Sequence, residues 1–572
     1  MDTIELGSDQ NRAPGRSRSG WLHLTVLLGF VLLTLVMTLP LVFHLRTHIA
    51  GVGGDSFCFL WTLWWVKKAI LDPSLSVFYT DFLYYPVGVT LAFHTLSLAN
   101  SVLSIPFQSF LGLTGAYNAM ILLGFILGGW GAYLLAYSLT GNRIAAIFAG
   151  IAFGFSPYHF SRAMVDLNTA SIHFIPFTFL FLIRWRRRGG LVDPALAGLF
   201  LGITGLCCWY YLLYTSMAVA LIGLVWLFQS GRPKHVRSAV LGSLLLGLVA
   251  LAVISPAVMP MVKAVVEGTD FMNPGRQEAY SADLLAYVVP SSNQPLFLKW
   301  VAPYYRSLGG NVYENTVSLG LVVIALAAYG VWGRRRAGGD RLAWAIVGLV
   351  AFVLSLGPTL QIAGRSIGQS GWLPYRWLIQ DIPLISHARV PSRIAVLVTC
   401  SVSVLGAFGF RDLLGCKMLR ASRWRKMGWV SLVFTVLLVE LWGAPVPGGG
   451  MPVPHFFEEV AEDDDDYTVL GLPFKGWTVA LQDMYYQTTH GKRIVNGLVA
   501  RTPVGADAFF DEWSRAASDY GFLQRHRVRY IFLHASLGPE PWHVQTMDGL
   551  SQLPWLRRLD LDEPGIIVYA VQ

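Results

Sequence analysis

Charged residues are scarce in this sequence of 572 residues. Asp, Glu, Lys and Arg together make up 13% of it, whereas about 25% is usual in soluble domains. Hydrophobic residues make up 54%, and the mean hydropathy is +0.51. This shortage of charge excludes a soluble globular protein, and the length exceeds that of one typical domain. The sequence therefore predicts a polytopic membrane protein with two or more folding units.

Cysteine is also rare, which excludes two kinds of site. The five cysteines lack metal-ligand spacing, and none follows Cys416, so no disulfide framework holds the C-terminal part. That part also lacks a phosphate-binding loop, a GxGxxG motif and a nucleophile elbow. We attribute the net charge of +9 to basic cytoplasmic loops, and we expect no nucleic-acid partner.

Long apolar segments are abundant, and they give the topology. A helix needs about 17–25 apolar residues to cross a bilayer, although shorter segments suffice where charged residues bound them. The first span lacks a clear small-residue cleavage site, so we interpret it as a retained anchor rather than a signal peptide. Eleven spans are predicted, at 21–43, 115–139, 143–158, 169–184, 193–208, 211–229, 238–259, 315–333, 342–361, 392–413 and 427–443.

Basic residues set the orientation of these spans. With the N-terminal tail 1–20 in the cytoplasm, the short inner segments hold 21 Lys and Arg and the longer outer loops hold 11. Counting 96–113 as a further span would reverse every later loop, so we expect this segment to lie in the outer interface or to re-enter. The large loop 44–114 and the tail after 443 then lie outside the cytoplasm, and any chemistry faces outward.

The composition changes at Ala444. Segment 444–466 combines a Pro- and Gly-rich linker with a solvated acidic run, and alternating apolar stretches follow over 467–572. The predicted fold is thus an all-α transmembrane domain over 21–443 followed by a small extracytoplasmic α/β domain. Its predicted strands are 467–473, 493–500, 528–535 and 565–571, and its predicted helices are 505–524 and 542–552.

Asp55 is the first candidate for chemistry. It stands in GVGGDSFCFLWTLWW, between glycines and an apolar segment, 57–71, that is expected to form an interfacial helix. A carboxylate at the membrane surface is costly unless it is solvated or paired. Two compatible interpretations remain open: a helix N-cap, which favours Asp, and a general base.

The second outer loop, SPYHFSRAMVDLNTASIHF, is dense in ionisable groups. It contains His159, Arg162, Asp166 and His173, and such groups near membrane depth normally face a cavity or one another. An ordinary ion pair of Arg162 with Asp166, four positions apart, is the alternative. Because no HxxH or HExxH spacing is present, we expect both histidines to be packed or interfacial rather than metal ligands.

The segment HARVPSR, 387–393, gathers cations before the tenth span. His387, Arg389 and Arg393 suit a lipid phosphate, because guanidinium groups bind phosphate oxygens bidentately. Snorkelling toward lipid headgroups is the alternative.

Two further sets of residues are weaker candidates. Glu278, Asp283, Arg276 and Glu314, in the outer loop 260–314, are expected to be mostly solvated. Tyr210 and Tyr211, in CCWYYLLY, are typical of an aromatic belt.

These features together resemble the GT-C superfamily of integral-membrane glycosyltransferases, such as protein O-mannosyltransferases and the aminoarabinose transferase of lipid A. The resemblance covers roughly residues 20–410, and the tail is similar to those of uncharacterised bacterial membrane proteins of this type. The family often has a pair of acids in its first loop, whereas Asp55 is followed by Ser56. The resemblance rests on the first span, GGDSFCFLWTLWW, YYPVGVTLAFHTLSLANSVLSIPF, SRAMVDLN and the exported C-terminal domain.

The resemblance implies transfer of a sugar, with inversion, from a polyprenyl-phosphate-linked donor to a lipid, glycan or protein acceptor outside the plasma membrane. Asp55 would be the general base, and Asp166 would orient the acceptor or hold a divalent cation. A single acid there argues against the cation, because hard cations favour several oxygen ligands. The implied substrate-binding residues are His94, His159, Arg162, Tyr210, Tyr211, Glu278, His387, Arg389 and Arg393.

Two other classes of protein remain as alternatives. A transporter or a lipid-linked-glycan flippase suits eleven spans, but transporters commonly show inverted repeats, and none is recognisable here. A non-catalytic polysaccharide-assembly scaffold would use the spans only as anchors, and eleven exceed that need.

Overall fold

Helices account for most of the chain in the computed structural model. The ranges that the structure describes are 16–51, 54–230, 236–268, 279–308, 312–333, 339–367, 373–381, 389–420, 422–450, 452–474, 476–534, 549–561, 563 and 565–572. The helices of the first half are α1 Arg16–Met37, α2 Asp55–Leu71, α3 Leu98–Thr140, α4 Arg143–Gly154, α5 Pro157–Ala163, α6 Leu167–Ala170, α7 Ile175–Arg188, α8 Val192–Cys207, α9 Trp209–Ser230 and α10 Val236–Val266. Those of the second half are α11 Leu298–Ser307, α12 Leu321–Trp332, α13 Gly339–Ser355, α14 Pro374–Asp381, α15 Ala395–Leu414, α16 Lys417–Arg420, α17 Arg423–Glu440, α18 His455–Glu462, α19 Trp477–His490, α20 Ala506–Ala516 and α21 Tyr520–Arg525.

The chain is a multi-pass membrane protein. Within the described ranges, seven helical stretches are long and apolar enough to cross a bilayer. The other four predicted spans coincide with α8, α12, α13 and α17, which are shorter or more charged, so the count of eleven stays a prediction. The seven stretches are Gly20–Met37, Leu98–Thr140, Arg143–Ala163, Leu167–Arg188, Trp209–Gln229, Arg237–Val266 and Pro391–Leu414.

The segment 96–113 forms the first part of α3. Gly112, at φ +74°, interrupts the helix and separates this part from the predicted span that follows. Val102, Leu103 and Phe110 are exposed on it, while Ser104 and Gln108 are buried. One face therefore packs on the protein and the other is apolar and uncovered, as the interfacial interpretation expects.

Helix α2 is buried rather than spread on a surface. Trp61 and Trp65 are fully buried, and the helix packs between α3 and α19 of the tail. The expected interfacial helix is thus a core helix, because a segment that is apolar all round is buried on every side.

The tail is a small α/β domain, which confirms this part of the predicted fold. A five-stranded sheet has the order β10–β11–β9–β7–β8, with β7 parallel to both β8 and β9 and the other pairs antiparallel. The predicted helix 542–552 lies mostly outside the described residues. The strands of the sheet are β7 Thr468–Leu472, β8 Arg493–Ile494, β9 Val528–His534, β10 Leu556–Arg558 and β11 Ile566–Val571.

Short pairs of strands complete the secondary structure. Among them, β1 pairs antiparallel with β6 and joins the first outer loop to the segment that precedes the tail. Short 3₁₀ helices lie at Leu41–Phe43, Leu284–Tyr287 and Pro391–Ile394. The remaining strands are β1 Ile49–Ala50, β2 Tyr79–Thr80, β3 Val89–Thr90, β4 Gln361–Ile362, β5 Arg365–Ser366 and β6 Gly448–Gly449.

The segment 444–466 is more ordered than a solvated linker. Helix α18 buries Phe456 and Phe457 against the sheet of the tail. In the acidic run that follows, Asp463 forms an ion pair of 2.8 Å with Arg529. The acids therefore pair with arginines of the sheet, and the ordered tail begins before 467.

The tail is docked on the first outer loop. Gln487 of α19 accepts a hydrogen bond from the indole of Trp61, 2.7 Å, and donates one to the Phe82 carbonyl, 2.7 Å. Arg493 forms an ion pair of 2.9 Å with Asp81. These contacts dock the tail on the middle of α2 and on the loop that follows this helix.

Candidate functional site: an acid and arginine cluster under the tail

Asp55 lies at the first turn of α2. Gly54, and not Asp55, occupies the N-cap position, with φ at +68°, which favours glycine. A β-carbon at Gly54 would also come within 2.7 Å of the Trp477 ring of the tail. The N-cap interpretation of Asp55 is therefore wrong, and its carboxyl group instead forms a side-chain hydrogen bond with Asp166.

Asp166 lies in the turn between α5 and α6. Arg162 lies in the last turn of the preceding helix and pairs with Glu314, so the alternative of an ion pair between Arg162 and Asp166 is wrong. Asp166 instead contacts Arg393 and Thr169. Its Oδ2 is 3.4 Å from Nη2 of Arg393 and 3.3 Å from Oγ1 of Thr169. The turn thus aims the Asp166 carboxylate at both Asp55 and the start of the Pro391–Leu414 span.

Glu314 links the two arginines. Its Oε1 accepts hydrogen bonds from Arg393 Nη2 and Nε, at 2.6 and 3.0 Å, and its Oε2 is 2.7 Å from Arg162 Nη1. Arg162 also donates to the carbonyl of Tyr313. The side chains of Arg162 and Glu314 are 1% and 4% exposed, so the expectation that Glu314 is solvated is wrong.

The negative and positive charges of the cluster are equal in number when the carboxyl group of Asp55 is protonated. Burial and the neighbouring carboxylate of Asp166 raise the pKa of Asp55 to about 7. Burial opposes the ionisation of Glu314, but the guanidinium groups of Arg162 and Arg393 lower its pKa to about 2. Two carboxylates then face two guanidinium groups, and Asp55 is the group whose proton is available near neutral pH.

Aromatic side chains hold the cluster from the side of α9. The hydroxyl of Tyr211 is 2.5 Å from the Thr169 carbonyl and 2.8 Å from the hydroxyl of Tyr158. Tyr158 also donates to the Arg393 carbonyl, 3.1 Å. The guanidinium of Arg393 lies 5.1 Å from the centre of the Tyr210 ring. Both tyrosines of the predicted aromatic belt therefore face the cluster.

The histidines lie around the cluster rather than in it. His159 is fully buried, and its ring nitrogens face the carbonyls of Gly154 and Ala170 at 2.6 and 2.9 Å. His173 is likewise buried. This arrangement agrees with the expectation that both are packed, and it directs neither nitrogen of His159 toward a substrate.

His94 connects the first loop to the tail. Its Nδ1 accepts a hydrogen bond of 3.1 Å from the backbone N–H of Ala500, and its Nε2 is 3.3 Å from Thr62 Oγ1. Burial lowers the pKa of His94 to about 4, so the ring is neutral. His94 also lines a small cavity of about 30 Å³ with Asn168, Cys208 and Met261. This cavity opens beside the Asp166 turn, between the outer loops and α10.

The structure describes residues 389–393 of the cationic segment 387–393. His387 lies outside the described residues, as does Glu278. Arg389 is partly exposed, and no other described residue forms a hydrogen bond or ion pair with it. Burial and the positive charge of Arg389 lower the pKa of Arg501 in the tail.

The sequence did not single out Arg501, and it named Glu314 only as a weaker candidate. Glu314 was expected to be solvated, and Arg501 lies in a tail that carries no catalytic motif. The sequence offered one signal for Glu314. Arginines near membrane depth, as expected for Arg162 and Arg393, need an acidic partner. Over the described residues, no group of three or more His, Cys, Asp or Glu side chains is arranged to hold a metal ion.

Comparisons with known proteins agree with this architecture. A family model described as a domain of unknown function (DUF6311) matches residues 57–381. No curated protein matches the chain in sequence.

Solved structures similar to the chain are membrane glycosyltransferases. The arabinofuranosyltransferase AftD from Mycobacteria is 14% identical at a TM-score of 0.60, over 96% of this chain but only 40% of AftD. ArnT from Cupriavidus metallidurans bound to undecaprenyl phosphate is 11% identical at 0.53, over 97% of this chain and 98% of ArnT. The oligosaccharyltransferase of Archaeoglobus fulgidus, in complex with Zn and sulfate, is 11% identical at 0.51, over 96% and 73%. The chain therefore has the GT-C fold, which confirms the fold family that the sequence resembles.

Proposed function

This chain belongs to the family described as a domain of unknown function (DUF6311), and we propose that it is a glycosyltransferase. It would transfer a sugar from a polyprenyl-phosphate-linked donor to an acceptor on the outer face of the plasma membrane. The hydrogen-bonded pair of Asp55 and Asp166, held in two outer loops of a GT-C fold, carries this proposal. The undecaprenyl phosphate bound by the similar ArnT structure supports the donor class.

Asp55 acts as the general base. Once its proton is lost, the carboxylate accepts the proton of an acceptor hydroxyl while that oxygen attacks the anomeric carbon of the donor. The bond from this carbon to the phosphate oxygen breaks, the electron pair leaves with the phosphate, and the configuration inverts. Proton transfer to a positioned base contributes roughly 10²–10⁴-fold in rate.

Asp166 orients the acceptor, and Arg393 holds Asp166. The guanidinium of Arg393 contacts Glu314 and Asp166 together, so most of its charge is balanced within the cluster. Arg393 therefore positions the acids, and Arg389 is free of such partners among the described residues and faces the donor phosphate. Cations near the leaving phosphate stabilise the charge that develops there.

The test is sugar transfer from a set of radiolabelled polyprenyl-phosphate sugars by the purified full chain in detergent. Asp55→Asn is expected to lower transfer by at least about 10²-fold. Asp72→Asn is the matched control, because Asp72 is an exposed acid directly after the other end of α2. If Asp55→Asn transfers sugar at the wild-type rate, Asp55 is not the general base. If the folded wild-type protein transfers sugar from none of the donors, the protein is not a glycosyltransferase of this class.

A further inference from the structure

The outer loop that precedes Glu314 exposes several large apolar side chains. Five of them lie within 16 residues of the chain, and Trp300 is 75% exposed. Exposed apolar patches mark surfaces that contact a partner or a membrane. The five side chains belong to Leu285, Val288, Leu296, Leu298 and Trp300.

Helix α11, within this loop, has one face on the protein and one face uncovered. Val301 and Tyr305, four positions apart, are buried in a small apolar cluster of the loop. Lys299, Trp300 and Arg306 are exposed. The uncovered face of α11 therefore carries an aromatic ring and two cations.

The exposed charges of the described segment 279–308 are all positive. Lys299 and Arg306 are exposed, whereas Asp283, the one acid of this segment, is fully buried. The expectation that Asp283 is solvated is therefore wrong. A helix face that combines tryptophan with Lys and Arg is typical of helices that lie in a membrane surface, and its charge complements anionic lipid headgroups.

Two hydrogen bonds tie this loop to the ends of membrane helices. The carbonyl of Tyr280 accepts a hydrogen bond of 3.1 Å from the backbone N–H of Ser392, at the start of the Pro391–Leu414 span. Gln294 donates one of 2.6 Å to the carbonyl of Val439, in the last turn of α17. The apolar patch therefore lies at the level where helices leave the bilayer, and lipid is the partner within its reach.

We propose that the uncovered face of α11 lies in the surface of the bilayer and binds anionic phospholipid. Trp300 lies among the headgroups, an interface that tryptophan favours, and Lys299 and Arg306 contact the phosphates. The leaflet is the outer one in the proposed orientation. This inference does not depend on sugar transfer.

The membrane contact is linked to the acid and arginine cluster by hydrogen bonds. The hydroxyl of Tyr304, on α11, donates to the carboxylate of Asp283 at 2.9 Å. The backbone N–H of Asp283 donates to Oδ1 of Asn315 at 3.1 Å. Asn315 follows Glu314, which binds both arginines of the cluster. A helix held on the bilayer therefore supports the loop that supplies Glu314.

The experiment measures lipid contact of a fluorescent label on the full chain in nanodiscs. Trp300→Cys carries a nitrobenzoxadiazole label, which phospholipids with a doxyl group high on the acyl chain quench. Val262→Cys, exposed near the end of the Arg237–Val266 span, is the lipid-facing reference. Arg558→Cys is the aqueous control, because β10 lies at the edge of the tail sheet opposite β8, which contacts the first loop. Quenching at position 300 is expected to reach about half or more of that at position 262, since interfacial helices bury their apolar face at this depth.

A second position and a change of lipid complete the test. Leu296→Cys repeats the measurement with Trp300 in place. Quenching at both positions as low as at position 558 overturns the inference, whether water, a second copy or another protein covers the face. Phosphatidylglycerol should raise the quenching at position 300 above that in phosphatidylcholine alone, and Lys299→Gln combined with Arg306→Gln should abolish the difference. Equal quenching of the labelled chain in the two lipids overturns anionic headgroups as the partner.

Discussion

The carboxyl group of Asp55 shares a hydrogen bond with the carboxylate of Asp166, although the two residues are 111 positions apart in the chain. The pair joins the first outer loop to the second, and the network continues through Arg393 to Glu314. Burial and the neighbouring charge of Asp166 raise the pKa of Asp55, so Asp55 is neutral at low pH. The ionisation of the pair therefore sets when Asp55 can act as a base.

The rate of transfer should rise with pH and level off. Burial and Asp166 raise the pKa of Asp55 to about 7, so below that pH the proton stays on Asp55 and the base is blocked. We expect kcat/KM for transfer to increase about tenfold per pH unit below about pH 7 and to be flat above it. Initial rates between about pH 5.5 and 8.5 measure this profile. A profile that is flat from end to end would contradict the role of Asp55.

Asp166→Asn should move this profile. Removing the like charge lowers the pKa of Asp55, since both the charge of Asp166 and its hydrogen bond raise that pKa. We expect the rising limb to shift by at least about one unit toward lower pH, together with a fall in kcat. Asp72→Asn should leave both quantities unchanged, and an unshifted limb in Asp166→Asn would show that the two acids are independent.

Glu314→Gln should destabilise the protein. It leaves Arg162 and Arg393 buried with one counter-charge fewer, and breaking a buried ion pair costs about 3–5 kcal/mol. Thermal unfolding in detergent measures the change. Glu267→Gln removes the carboxylate of an exposed pair with Lys263, at 3.7 Å, and should cost about 0–1 kcal/mol. Equal effects of the two variants would mean that the buried network adds no stability.

Gln487→Ala should loosen the tail from the first loop. The amide of Gln487 is fully buried and bonds to Trp61, Phe82 and Lys492, and buried groups left without partners cost about 1–3 kcal/mol each. Limited proteolysis should therefore cut the variant faster between the transmembrane part and the tail. Gln524→Ala, on the exposed face of α21, is the control, and equal cleavage rates would contradict this account of docking.

The proposed orientation has its own test. Ser74 lies exposed after α2 on the proposed outer side, and Leu191 lies exposed before α8 on the proposed inner side. Ser74→Cys should react with a membrane-impermeant maleimide in intact cells, and Leu191→Cys only after permeabilisation. The reverse pattern would invert the topology.

Much of the fold was predictable from the sequence. Hydropathy located a helix at each of the eleven predicted spans, and alternating residues located β7, β9 and β11 of the tail. Strand β8 ends at Ile494 instead of 500, because the following residues leave the sheet to contact His94 of the first loop. Helix α19 was not predicted, since its residues WTVALQDMYYQTTH carry no simple apolar period and its burial depends on α2.

The sequence predicted the acids of the site but not which residues form ion pairs with each other. Asp55 stood out as a charge beside an apolar segment, and Asp166 as one of several charges in a short loop. Spacing along the chain offered Asp166 as a possible partner of Arg162, whereas the fold brings in Glu314 from 152 positions away. Long-range pairing depends on how helices pack, and Arg501 depends further on how two domains meet.

The docking of the tail also fixes the order in which this protein can mature. Ala500 bonds to His94 across 406 positions, and Gln487 bonds to Trp61 across 426. When the ribosome has synthesised every membrane helix, the tail that covers the first loop has therefore not yet been made. Until the tail follows, the indole of Trp61 and the ring of His94 lack their partners in the tail. The first loop is therefore covered only after the membrane helices have been made.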